Sequence, residues 1–209
     1  MSRYLVSLII FLSISLSLPH ALAGENSQFQ QQTILIMGDS ISAGFGIDKE
    51  QGWVALLESK LNTLPVQNKV INASISGETT SGGANRIKAL LTKHKPSMVI
   101  IELGGNDGLR GSPIRMMKQN LGYMIKQSQK SGAEVLILGM RIPPNYGQTY
   151  SDLFSRQYQQ LALENNTLIL PFLLKGIATQ SGMMQADGIH PTVKAQPIMM
   201  NYVWSLIKP

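Results

Sequence analysis

The sequence predicts an α/β fold, with a parallel sheet covered by helices on both faces. Two observations carry that prediction. Short apolar runs rich in β-branched residues recur along the chain, and stretches of helical periodicity separate them in strict alternation. Five such strand–helix units also leave polar, glycine-rich segments just after the strands, where ligands bind in a parallel sheet.

The first strand is expected at Thr33–Met37, after a short polar leader at Gln28–Gln32. Trp53, Leu56, Leu57 and Leu61 then mark one helical face. The second strand is expected at Val66–Ile71, and the helix after it carries Ala84, Ile87, Leu91 and His94. The third is expected at Met98–Leu103, followed by a helix with Ile114, Met117, Leu121 and Met124 on one side. The fourth, Glu134–Gly139, leads to a helix marked by Tyr150, Leu153, Phe154, Tyr158 and Leu161. The fifth, Thr167–Leu170, precedes a last helix marked by Met199, Tyr202 and Leu206. Pro197 is there either an early helical position or a kink. All five strands read as buried.

The beginning of the chain has a different character. Met1-Ser2-Arg3 is a positive start, Tyr4–Leu18 is apolar apart from serines, and Ala21-Leu22-Ala23 offers a small-x-small cleavage site. Residues 1–23 therefore read as a cleaved signal peptide, because the apolar run falls short of the roughly 20 residues of a membrane span. Residues 24–209 then form one domain, exported to the periplasm or the medium, with ample length for a core.

The chain has no cysteine, which excludes a disulfide scaffold, a thiol nucleophile and Cys-ligated metal. The net charge of +6 permits transient contact with anionic membrane lipid. The densest basic group is Arg86, Lys88, Lys93 and Lys95. It lacks interleaved aromatics and reads as a solvated helix face, so no nucleic-acid partner is expected. The expected state is a monomer.

Ser40 lies in Gly38-Asp39-Ser40, directly after the first strand. A serine hydroxyl needs a base to become a nucleophile, and histidine is the usual one. The chain has three. His20 leaves with the signal peptide, and His94 suits packing or a cation at a helix end. His190 remains, in a loop where Pro191 biases its backbone towards extension. Asp187, three residues earlier, can accept the imidazole Nδ1 proton, or bond its own backbone in an Asx-turn beside Gly188, or do both with its two oxygens. Asp-x-x-His also occurs as a metal pair, but no third ligand cluster is evident, so neither a metal nor another cofactor is expected. Asp39 is adjacent to Ser40, yet neighbours in extended backbone point apart. Donors for an oxyanion could come from the Ser40 N–H, the Gly77 N–H and the Asn106 side chain. Taken singly, Gly77 and Asn106 are better explained as turn formers. The glycines after Ser40, Gly44 among them, read as room for a substrate. GxSxG, P-loop, GxGxxG and HExxH motifs are absent.

GDSISAGFG, the glycine of NASISGETT, GGNDGLRG and DGIHP together resemble the four sequence blocks of the SGNH (GDSL-type) hydrolases. The resemblance extends to GWVALL, ELGGNDGLRG and RIPPNYG, and is nearest to the exported bacterial thioesterase, lysophospholipase and arylesterase group. It implies a flavodoxin-like three-layer α/β/α sandwich with a five-stranded sheet. It implies Ser40 as nucleophile with His190 and Asp187, and an oxyanion hole of Ser40, Gly77 and Asn106. The loops Gly108–Pro113 and Arg141–Tyr146 would shape an acyl pocket, with Gly108, Leu109, Ile142 and Pro143 as contacts. The implied activity is hydrolysis of small acyl esters or thioesters without a cofactor. A carbohydrate O-acetyl esterase is the alternative within the superfamily. A non-catalytic lipid- or glycan-binding protein is the alternative outside enzyme chemistry.

Overall fold

The computed structural model describes residues 32–207. The expected signal peptide lies outside the described residues. Five parallel strands form one sheet: β1 (Thr33–Gly38), β2 (Lys69–Asn72), β3 (Met98–Glu102), β4 (Glu134–Leu138) and β5 (Leu168–Leu170). Their order is β2-β1-β3-β4-β5. Helices α1 (Ser40–Ala43), α2 (Trp53–Leu61), α3 (Thr80–His94), α4 (Gly105–Leu109), α5 (Ile114–Lys130), α6 (Gln148–Asn165) and α7 (Gln196–Ile207) connect and cover it. This is the flavodoxin-like order, with its switch point between β1 and β3.

The three central strands are buried on both faces, as their unbroken Val, Ile, Leu and Met runs require. On one face α2 packs against α7. On the other, α5 lies between α3 and α6. The long helices contribute apolar stripes, such as Met117, Leu121, Met124 and Ile125 of α5. The core is continuous across both layers, and Trp53, Phe154 and Tyr158 are its largest fully buried side chains.

Two expectations are corrected. Strands β2 and β5 are not buried but form the edges of the sheet, and their residues are half-buried or exposed. Strand β2 also starts three residues later than its apolar run suggests. The preceding Asn68 side chain is committed elsewhere, donating to the carbonyls of Leu61 and Val66 and accepting from the N–H of Gln32. Those bonds hold residues 66–68 as an anchor for the end of α2 rather than as a ladder. Pro197 falls in the first turn of α7, the early helical position open to it, where its missing N–H costs no intrahelical bond.

Candidate active site

At the switch point, β1 ends in Gly38 and the chain turns at once into the single turn of α1. Asp39 caps that turn, its Oδ1 accepting from the Ile41 N–H at 3.0 Å. Gly44 closes it in the left-handed region (φ 74°), donating its N–H to the carbonyl of Ser40. A Cβ on Gly44 would meet only ordinary contacts, the nearest at 3.7 Å. The glycine serves the left-handed cap. Gly38 is a glycine for a different reason. A Cβ there would fall 2.6 Å from Ser42 Cβ and 2.8 Å from Glu102 Oε2.

The other segments are tied to this turn. After β2, the Ile75 N–H donates to Gly38 O at 3.0 Å and Asn72 Nδ2 donates to Ser42 O at 2.8 Å. These bonds draw the loop carrying Gly77 alongside the end of β1. Gly77 is left-handed (φ 79°), and Arg110 donates to its carbonyl at 3.0 Å. After β3, Asp107 accepts from both the N–H (2.8 Å) and the hydroxyl (2.6 Å) of Thr80, locking α4 to the start of α3. Asn106 is thereby held between the two loops. Its Nδ2 donates to Asp39 Oδ2 and to Glu78 O, both at 3.1 Å. Among the described residues, the N–H groups of Ser40 and Gly77 have no intramolecular acceptor.

His190 arrives from the long segment after β5. Its Nε2 lies 2.9 Å from Ser40 Oγ and its Nδ1 lies 2.6 Å from Asp187 Oδ2. The other oxygen of Asp187 accepts from the N–H groups of Ile189 (2.9 Å) and His190 (3.0 Å). The carboxylate thus closes an Asx-turn and holds the imidazole at the same time. With Nδ1–H donated to Asp187, Nε2 is left as an acceptor for the serine hydroxyl. These bonds, led by the one from the imidazole, bring the Asp187 pKa down to about 2.

The deeper layer of the site was not foreseen. Glu102, fully buried at the end of β3, accepts from Ser42 Oγ at 2.6 Å and from the Asp39 N–H at 3.3 Å. Burial, reinforced by the charge of Asp39, pushes its carboxyl well above the usual range. Asp39, also buried, is raised to about 6. Burial is the largest cause, and it outweighs the Ile41 N–H, the charge of His190 and the Asn106 amide, all of which favour the carboxylate. One signal for this layer is visible in the chain: Glu102 is the lone charge in an otherwise apolar run, Met98–Leu103. Its partners lie about sixty residues away and cannot be read from it.

Of the residues expected around an acyl chain, Ile142 is buried and packs against Gly108, where a Cβ would fall 2.1 Å from Ile142 Cδ1. Leu109 is half-buried and Pro143 exposed. His94 lies at the end of α3, distant in sequence and fold from this cluster. Desolvation and the charges of Lys93 and Lys69 lower its pKa.

The fold and the site together define an ester hydrolase of the α/β/α type. A model of the GDSL-like lipase/acylhydrolase family matches residues 36–196. The chain belongs to that family. It is 50% identical over 182 residues to "Esterase TesA" of Pseudomonas aeruginosa, covering 87% of this chain and 90% of that protein. It is 40% identical over 177 residues to "Thioesterase 1/protease 1/lysophospholipase L1" of Escherichia coli (strain K12), covering 85% and 84%. Among solved structures, the psychrotrophic esterase EstA from Pseudoalteromonas sp., inhibited by monoethylphosphonate, superposes with a TM-score of 0.81. It is 43% identical, over 85% of this chain and 97% of that one.

Proposed function

We propose that this enzyme hydrolyses carboxylic esters and thioesters of acyl substrates through a covalent acyl-enzyme on Ser40. The observation that carries the proposal is the unbroken line of hydrogen bonds from Ser40 Oγ through His190 to Asp187. Ser40 Oγ attacks the acyl carbonyl while His190 Nε2 takes its proton. The negative oxygen that forms is held by the N–H groups of Ser40 and Gly77 and by the Asn106 amide. His190 then gives the proton to the departing alkoxide or thiolate. Water enters, is deprotonated by the same imidazole, and releases the acid. Asp187 keeps its charge throughout and stabilises the imidazolium.

The printed names of the similar proteins, esterase and thioesterase with lysophospholipase, support this choice of bonds. Periplasmic or extracellular export is proposed from residues 1–23, and fractionation of a tagged chain tests it. Catalysis is tested with Ser40→Ala, which is expected to abolish turnover of a p-nitrophenyl ester and labelling by a fluorophosphonate. Retained turnover sinks the mechanism. Rates that rise with acyl length identify lipid esters, and acetyl-only activity the carbohydrate O-acetyl esterase.

A further inference from the structure

The segments bearing Ser40 and His190 come from opposite ends of the chain, and their alignment decides whether the serine has a base. We infer that Gln185 is the positioning residue that clamps them together, with the Phe45 ring as a stop against the imidazole. The inference rests on the proposed roles of Ser40 and His190.

Gln185 stands at the neck of the histidine loop. Its N–H donates to His190 O at 2.7 Å, and its own carbonyl accepts from the Gly188 N–H at 3.0 Å. Those two backbone bonds close the loop. The side chain then reaches out of it. Nε2 donates to Pro191 O at 3.0 Å and to Phe45 O at 2.9 Å, so one amide holds both segments. Phe45 is in turn fastened to the nucleophile, its N–H donating to Ser40 O at 3.0 Å. Gly46 records the closeness independently, since a Cβ there would fall 2.3 Å from Gln185 Oε1. Any side chain at Gly46 would push the amide away.

The same clamp fixes an aromatic ring that burial does not explain. Phe45 is 51% exposed, yet its ring centroid lies 4.4 Å from that of His190 at an interplanar angle of 37°. An exposed phenyl group has many rotamers open to it. Here its backbone is held by Ser40 on one side and Gln185 on the other, so the ring covers one face of the imidazole. Asp187 restrains the ring through Nδ1 only, and rotation about that bond would carry Nε2 off Ser40. Phe45 blocks the rotation, and Gln185 keeps Phe45 in place.

The test compares wild type with Gln185→Ala, Phe45→Ala and Phe45→Leu on a short p-nitrophenyl ester and on a fluorophosphonate. A misaligned base lowers the rate at which Ser40 reacts with anything, whereas a lost acyl contact raises KM. Gln185→Ala is expected to lower kcat by about 10- to 100-fold with KM within about twofold, the scale on which supporting contacts act. The rate of Ser40 labelling falls by the same factor. Phe45→Ala shows the same paired loss, and Phe45→Leu, which keeps an apolar stop, recovers most of it. Should Gln185→Ala fail to fold, the two Phe45 variants decide. Labelling rates equal to wild type in Gln185→Ala, or in Phe45→Ala, overturn the clamp. Absence of labelling in the wild type instead overturns the reading of Ser40 itself, so the two failures are distinguishable.

Discussion

Asn106 spends both hydrogens of its amide in the free protein, one on the Asp39 carboxylate and one on the carbonyl of Glu78. In the proposed mechanism a substrate oxyanion takes one of them. The bond to a charged acceptor is the stronger, so the hydrogen facing the neutral carbonyl is the one exchanged. Asp39 thus orients a donor rather than a base. Asn106→Ala is expected to lower kcat by about 100-fold or more with the fold intact, the scale seen for a single oxyanion donor. An unchanged kcat removes Asn106 from the site. Asp39→Asn turns an acceptor into a second donor facing Asn106. Its kcat should fall while KM stays within about twofold, because a transition-state contact is lost and ground-state binding is not. A rise in KM alone counts against that role. Of the proposed site, Ser40 and His190 could be picked out in the chain by the strand-end rule and the short supply of histidines, whereas Gly77 and Asn106 were picked out only by resemblance to a family. The parts played by Asp39 and Glu102 were not legible, since their roles depend on contacts about sixty residues away.

At the scale of elements, the site is a set of strand ends whose connections must be tight. The junction from β3 into α4 shows the constraint. Gly104 has φ 116°, and a Cβ there would lie 2.2 Å from Tyr158 Oη, which donates to Leu103 O at 3.0 Å. Tyr158 is fully buried and has no room to retreat. Gly104→Ala should cost about 2–4 kcal/mol, from backbone strain together with overpacking. A urea melt measures it, and a loss below about 1 kcal/mol contradicts the geometry. The alternation of strands and helices announced the elements, because helical and strand periods differ. Edge positions escaped it. Apolar runs look alike whether one neighbour or two will pair with them, and only the strand order exposes β2 and β5.

At the scale of the molecule, Asp39 and Asp187 shape stability against pH in opposite senses, and Glu102, raised by burial, acts in the sense of Asp39. Asp39 rises from 3.8 to about 6 on folding, so its contribution is present below about pH 3.8 and is lost as pH rises through 6. Asp187 falls from 3.8 to about 2, so its contribution is present above about pH 3.8 and is lost as pH falls towards 2. Asp187 is partly exposed, and solvent screens much of its share. Melting temperatures across pH 2–8 should show both limbs. Asp39→Asn is expected to flatten the decline between about pH 4 and pH 6, and Asp187→Asn to reduce the loss below pH 4. An Asp39→Asn curve that declines as steeply as the wild-type curve between about pH 4 and pH 6 contradicts the account of Asp39.

The sequence alone determined the class of the fold and the residues able to do chemistry. It could do so because periodicity, glycine placement and a short supply of histidines are local properties of the chain. Tertiary structure decided which loop glycine is conformational and which marks close approach. It buried Asp39 and Glu102 beneath the serine and joined Gln185 to Phe45 across 140 residues. Those outcomes depend on where distant backbone groups meet, and hydrogen bonds of that kind leave no period in the sequence.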